Sequence, residues 1–253
     1  MKNVRLNKWF WSIIPVAVFI LIWELVARLD ILPGQYLLPP FSKVLVEFFK
    51  LSTTGVLGPN VASSLTRVLI GFIAGSIAGI TIGVIMGWQQ TIHRALSPLV
   101  SILYPIPALG WLPLLMLWIG INEMLPIAII FICSFFPVLY NTVTGIRNVD
   151  AGYIRVARTL GASDISILKS VVIPLALPNI FTGLRLEAGM AWRVIIAAEM
   201  IAISSGIGAL MMTAESLFRI DIIIVCLIIL SIMCLIFENF FVWLERKITG
   251  EWK

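Results

Sequence analysis

Long apolar runs separated by short, cation-bearing connectors dominate the chain. A membrane-spanning helix needs roughly 20 apolar residues, and six runs meet that length, near 9–29, 61–88, 96–119, 124–145, 175–203 and 220–244. The predicted fold class is an all-α integral membrane protein of about six transmembrane helices, one domain over 1–253, with a longer connector at 147–174. The first run follows Lys2, Arg5 and Lys8 in the manner of a signal peptide, but its apolar core is long and no small-x-small site follows. It is predicted to be a retained anchor. After it, Pro39-Pro40 leads into Phe41 to Leu51, where apolar residues at helical spacing alternate with Lys43, Glu47 and Lys50. That pattern predicts a short amphipathic helix on a membrane surface.

Small residues and prolines mark two of the runs. Gly71, Gly75, Gly79, Gly83 and Gly87 recur at a strict four-residue period, which lets a second helix approach backbone to backbone and predicts a helix-packing face. Pro105, Pro107 and Pro113 interrupt the third run. Each proline removes a helical hydrogen bond, so the freed carbonyls need neighbours or a water-filled cavity. Two readings compete there: a broken helix lining a transport path, and a kink that only shapes packing.

The connector at 147–174 predicts a helix, a hinge and a second helix. Asp150 can cap a short helix running to about Leu160, Gly161 suits the left-handed position that ends it, and Ser163 can cap a helix leading to Pro174. Its apolar members Ile154, Ala157, Leu160, Ile165, Leu168 and Val172 exceed what a solvated connector needs. The protein's own base or a partner should cover them.

Composition excludes a soluble protein. Sixty per cent of the residues are hydrophobic and 12% charged, with a mean hydropathy of +1.05, too little polar surface for a globule in water. The net charge of +5 would suit nucleic acid only as a contiguous basic face, whereas these cations lie between apolar runs. With the N-terminus inside, the inner segments hold Lys2, Arg5, Lys8, Arg94, Arg147, Arg155, Arg158, Lys169, Arg246, Lys247 and Lys253. The outer loops hold only Lys43, Lys50 and Arg219. That bias predicts both termini in the cytoplasm. Cys133, Cys226 and Cys234 all sit in apolar runs and carry no predicted disulfide or redox role. The single histidine, His93, excludes clustered-histidine metal sites, and a serine-type intramembrane enzyme fails because His93 lies in a short connector.

Charges inside a membrane are functional candidates by default. Arg185, Trp192 and Glu199 recur every seven residues in the fifth run, so they stay within about 40° of one another on one helix face. Arg193 lies beside that stripe, and its guanidinium matches sulfonate, nitrate or carboxylate oxygens. All four are candidates for a solute path. The competing reading has Arg185 and Glu199 snorkelling to opposite interfaces and Arg193 paired with a carboxylate. Arg67 is also expected to snorkel, Glu24 and Arg28 to form an i,i+4 ion pair, and Glu187 to serve packing or pairing.

The connector resembles the cytoplasmic loop of permease subunits of binding-protein-dependent ABC importers, whose pattern is Glu-Ala-Ala, three residues, Gly, nine residues, Ile-x-Leu-Pro. Aligned on Gly161, the segment Arg155-Val156-Ala157-Arg158-Thr159-Leu160-Gly161 ends the first part, and Val171-Val172-Ile173-Pro174 falls at the matching distance. Arg155 stands where that pattern has its acidic residue. Ala157 to Ser163, Thr182-Gly183-Leu184-Arg185, Gly189, Ala191-Trp192, Ala198-Glu199-Met200 and Ser204-Ser205-Gly206-Ile207-Gly208 resemble the nitrate, sulfonate and taurine branch. The resemblance implies a bacterial cell-membrane permease, not itself an enzyme, that imports a small anionic solute as a homodimer. An extracytoplasmic binding protein would deliver the solute. It also implies ATPase-coupling contacts at Ala157, Arg158, Thr159, Leu160, Gly161, Ala162, Ser163 and Pro174, with ATP and Mg held by a partner subunit and no cofactor on this chain. No Gly-x-x-x-x-Gly-Lys-Ser/Thr phosphate loop occurs in the sequence. The rival reading is a gradient-driven secondary transporter without an ATPase.

Overall fold

The computed structural model describes the backbone over residues 2–29 and 38–250, with side chains from residue 14 onward. Lys2, Arg5, Lys8 and Lys253, which enter the orientation argument, lie outside the residues whose side chains are described. Every regular element among the described residues is helical: α1 (Lys2–Arg28), α2 (Phe41–Thr53), α3 (Leu57–Trp88), α4 (Gln90–Leu103), α5 (Leu112–Ile119), α6 (Met124–Arg147), α7 (Ala151–Thr159), α8 (Asp164–Ile167), α9 (Ile173–Ala202), α10 (Ile207–Ser216) and α11 (Ile220–Thr249). Among the described residues, four stretches are long and apolar enough to cross a bilayer: α3, α6, α11 and the continuous Asp164–Ala202. The third predicted run is broken, because α4 and the Ala108–Ile119 segment meet at 86° and qualify as a span only as a pair. Helix α1 covers the first predicted run.

The glycine period sets the tightest packing. Gly75 lies so close to α6 that an added Cβ would stand 2.6 Å from the Phe131 carbonyl oxygen, and at Gly79 it would stand 2.7 Å from that of Phe135. Gly71 meets Ile127 and Ile130, Gly83 meets Thr142, and Gly87 meets Ile146, so α3 and α6 run parallel in register. No larger residue fits this seam, in which dispersion between backbones replaces the hydrophobic drive that lipid cannot supply. On its other side α6 packs along α9, with Gly145 against Ala176 and Asn179 and Gly183 against Asn141, so that pair is antiparallel. Helix α11 closes the layer, with Phe237 edge-on to Phe72 at 5.2 Å and to Trp192 at 6.3 Å.

The amphipathic helix forms as expected and runs two residues further than predicted. Val44, Glu47 and Leu51 form its buried face against α11, so Glu47 belongs to the inner face rather than the solvated one. It is held there by Arg219 at 2.9 Å. Trp23 Nε1 donates to the Pro39 carbonyl at 3.1 Å and ties the end of α1 to the start of α2. The Glu24–Arg28 pair is present at 2.7 Å, and Glu24 also accepts from the Ser42 hydroxyl at 2.8 Å.

The connector takes the helix, hinge, helix form. Asp150 accepts from the Gly152 N–H at 2.6 Å and caps α7, Gly161 adopts φ +82°, and Ser163 accepts from the Ser166 N–H to cap α8. Helix α8 does not end at Pro174, however. A five-residue π-helical turn, Leu168–Val172, carries it into α9. Proline has no N–H to give the Ser170 carbonyl and its ring crowds that turn; widening the helix there accommodates both.

Candidate functional site

The broken third run opens a half-enclosed cleft of about 260 Å³. Tyr104, Pro105, Ile106 and Pro107 form one wall, Cys133, Phe136 and Pro137 of α6 a second, and Glu187, Met190 and Val194 of α9 the third. Each proline that builds this cleft strips a donor from a carbonyl one turn earlier, at Ser101, Leu103 and Cys133. Ile106 N–H replaces the donor at Leu103. Tyr104 stacks flat on Tyr140 of α6, with centroids 5.2 Å apart and planes at 4°.

Glu187 is 7% exposed and lines this cleft. Its one side-chain hydrogen bond among the described residues comes from the Cys133 thiol, at 3.4 Å. A thiol is a weak donor, so the carboxyl keeps most of its acceptor capacity.

A second buried carboxyl on α9 is fully provided for. Glu199 has no exposed surface and accepts from Arg67 Nη1 at 2.6 Å, from the Ser64 hydroxyl and from the Gly208 N–H at 3.0 Å. Arg67 also grips Glu123 in two parallel bonds, Nε to Oε2 at 2.6 Å and Nη2 to Oε1 at 2.9 Å, and reaches both the carbonyl and the hydroxyl of Ser205. The N-terminus of α10 sits on the same cluster, because Gly206 N–H donates to Asn60 and Ile207 N–H to Ser64. A carboxylate at that end also complements the helix dipole. This knot ties α3, α6, α9 and α10 together at one end of the bundle. Arg219 builds a smaller one beside it, with Glu47 and Asp221 both at 2.9 Å. The hydrogen bonds to Asp221 hold its guanidinium above the usual arginine range.

These contacts correct two expectations. Arg67 does not snorkel, because Glu199 offers it a partner inside the bundle and leaves it 4% exposed. Glu199 does not reach an interface either, since three donors hold it at zero exposure. The four residues expected along a solute path separate. Trp192 is 1% exposed and packs on Phe237, and Arg185 pairs with Glu245 at 3.4 Å. Arg193 alone among them is both exposed and, among the described residues, outside an ion pair, with its guanidinium 3.6 Å from the sulfur of Met190, a cleft residue. The Arg67 knot was missed from sequence, and so was the weight of Glu187. Their signals were an arginine and two glutamates inside apolar runs without a local counter-charge.

At the opposite end, α7 presents Tyr153, Val156 and Leu160 to solvent, and Ile165 of α8 continues the patch. Ile154, Ala157 and Leu168 face inward against the core. The exposed Arg158–Asp164 pair at 3.0 Å spans the Gly161 hinge. No group of three metal-ligating side chains is present among the described residues.

Bilayer-length helices, beside one pair broken at prolines around a half-open cleft, define a multi-pass membrane protein. Residues 71–250 match the family described as binding-protein-dependent transport system inner membrane component, and the chain belongs to that family. It is an ABC importer permease, a transport component and not an enzyme. A protein of Methanocaldococcus jannaschii described as an ABC transporter permease is 40% identical over 241 residues, covering 91% of this chain and 88% of the relative. The taurine transport system permease of Escherichia coli is 32% identical over 258 residues, covering 97% and 94%. Among solved structures, the crystal structure of an amino acid ABC transporter aligns with a TM-score of 0.64 at 21% identity, over 80% of this chain and 96% of that one. That likeness concerns the fold.

Proposed function

We propose that this permease forms, as a homodimer, the pore of an ATP-driven importer for a small solute bearing an oxyanion. On this reading the connector docks an ATP-binding subunit on the cytoplasmic side. ATP and Mg belong to that partner, and an extracytoplasmic binding protein supplies the solute. The observation that carries the reading is the apolar patch on α7 and α8, where Tyr153 is 60%, Val156 61%, Leu160 82% and Ile165 68% exposed. A capped, hinge-fixed elbow with that much apolar surface is expected to be covered by a partner. The lysine and arginine bias supports a cytoplasmic elbow and cytoplasmic termini. The taurine transport relative supports a sulfonate-like solute, and Arg193 is the cation best placed to meet one.

The test is Gly161→Val. No neighbour lies within 4 Å of a Cβ there, but φ +82° penalises any β-branched residue, by about 1–2 kcal/mol. The variant should insert and dimerise while losing most of the ATP-binding subunit that copurifies with the parent, and solute-stimulated ATP turnover should fall with it. Ser52→Ala, in α2, is the control. Parental assembly and turnover in Gly161→Val would remove the elbow as the coupling element and favour a gradient-driven transporter.

A further inference from the structure

The Glu187 cleft sits awkwardly with a solute that is only an anion. Of the described residues that line it, the ionisable ones are Glu187, Cys133 and Tyr104, and none is a lysine, arginine or histidine. Glu187 is buried, lines a cavity, and its carboxyl has one weak thiol donor at 3.4 Å. A carboxyl so placed is costly without a strong donor. Pro137 adds to the demand, because its missing N–H leaves the Cys133 carbonyl, on the same wall, without a helical donor. Around this acceptor the surfaces are apolar and aromatic: Tyr104, Ile106, Phe136 and Val194. Of the two cations on the same helix, Arg185 pairs with Glu245 and Arg193 turns its guanidinium to Met190, and Glu238 of α11, packed against Gly189, adds a second acid on the far side of α9.

We propose that this cleft is a solute subsite in which Glu187 receives a positively charged N–H donor, an ammonium or a protonated ring nitrogen, while the proline and aromatic walls hold the apolar body. This deepens the importer reading and rests on it. The solute class becomes one that carries a nitrogen cation as well as its oxyanion, a zwitterion rather than a simple anion. The carboxyl selects by charge: it attracts the cationic group and raises the barrier to a bare anion of equal size.

Cys133 supplies the probe, because its sulfur stands beside Glu187 in the cleft wall. In purified full-length permease with Cys226→Ala and Cys234→Ala, the thiol is titrated with two methanethiosulfonate reagents of matched size, 2-aminoethyl and 2-sulfonatoethyl. The cationic reagent should react at least tenfold faster. Glu187→Gln should bring the two rates to within about twofold, and Glu187→Asp should retain the preference. Equal rates in the parent, a faster anionic reagent, a preference that survives Glu187→Gln, or a thiol inert to both would each overturn the subsite. If Glu187→Gln does not fold, the parent ratio and Glu187→Asp still decide. The measurement uses the permease alone, so it can fail while ATPase docking through the elbow stands, and the reverse also holds.

Discussion

Helix α9 buries two carboxyl groups, Glu187 and Glu199, and treats them in opposite ways. Both are nearly sealed, at 7% and 0% exposure. Glu199 has an arginine and a hydroxyl from α3 and a backbone N–H from α10, whereas Glu187 has a thiol. Burial alone therefore says little about the role of a membrane carboxylate; the donors around it say more. A fully satisfied cluster behaves as a structural joint, and Glu199 joins α3 and α10 at the end of the bundle where α9 stops, with the start of α6 tied in through Arg67 and Glu123. An under-supplied carboxyl beside a cleft is an incomplete site, and α9 places Glu187 where the proline break leaves room for a ligand.

The largest effect expected from this contrast is at the joint. Glu199→Ala leaves Arg67 4% exposed without its inner partner, and breaking a buried pair from one side costs about 3–5 kcal/mol. Thermal unfolding of detergent-purified permease should show a pronounced loss, with the α10 N-terminus exposed early to proteolysis. Glu187→Leu should behave differently. Replacing an under-bonded buried carboxyl by an apolar side chain of similar size is neutral or stabilising, by up to about 1–3 kcal/mol. Its unfolding midpoint should equal or exceed the parent's. A loss as large as that of Glu199→Ala would mean that Glu187 is a second joint and would end the comparison.

The parts of this architecture that depend on neighbouring residues were legible in the sequence. Helix lengths follow from apolar runs, and the Asp150 cap, the Gly161 hinge and the Ser163 cap follow from backbone needs within a few residues. The Gly71 to Gly87 face was legible because a strict period reports a partner helix without naming it; that the partner is α6 required the structure. Helix α10 was missed because Ser204-Ser205-Gly206 reads as a loop, and the groups that satisfy its first N–H groups, Asn60 and Ser64, lie more than a hundred residues away. The Arg67–Glu199 pair spans 132 residues for the same reason. The seven-residue stripe of Arg185, Trp192 and Glu199 was correctly seen as one face, but periodicity cannot say whether a face meets a path or another helix. In the structure it meets α11 and α3. Glu187, off that stripe, is the residue that meets the cleft.

The smallest effect is expected at the outer half of the same joint. Glu123 grips Arg67 with two short bonds, yet its side chain is 64% exposed. Water competes for an exposed carboxylate, and pairs of this kind contribute about 0–1 kcal/mol. Glu123→Gln keeps one acceptor oxygen for Arg67 and turns an amide toward the other guanidinium N–H, so one of the two bonds is lost. Arg67 retains Glu199 and both groups of Ser205, so no buried charge is left unpaired. The unfolding midpoint should drop by a small fraction of the Glu199→Ala loss. Raising the salt to 1 M, where screening acts over about 3 Å, should shrink the difference between parent and Glu123→Gln while leaving the Glu199→Ala loss in place. A Glu123→Gln loss as large as that of Glu199→Ala, and insensitive to salt, would place the strength of the joint in its solvent-facing half, and burial would then not be what separates its two carboxylates.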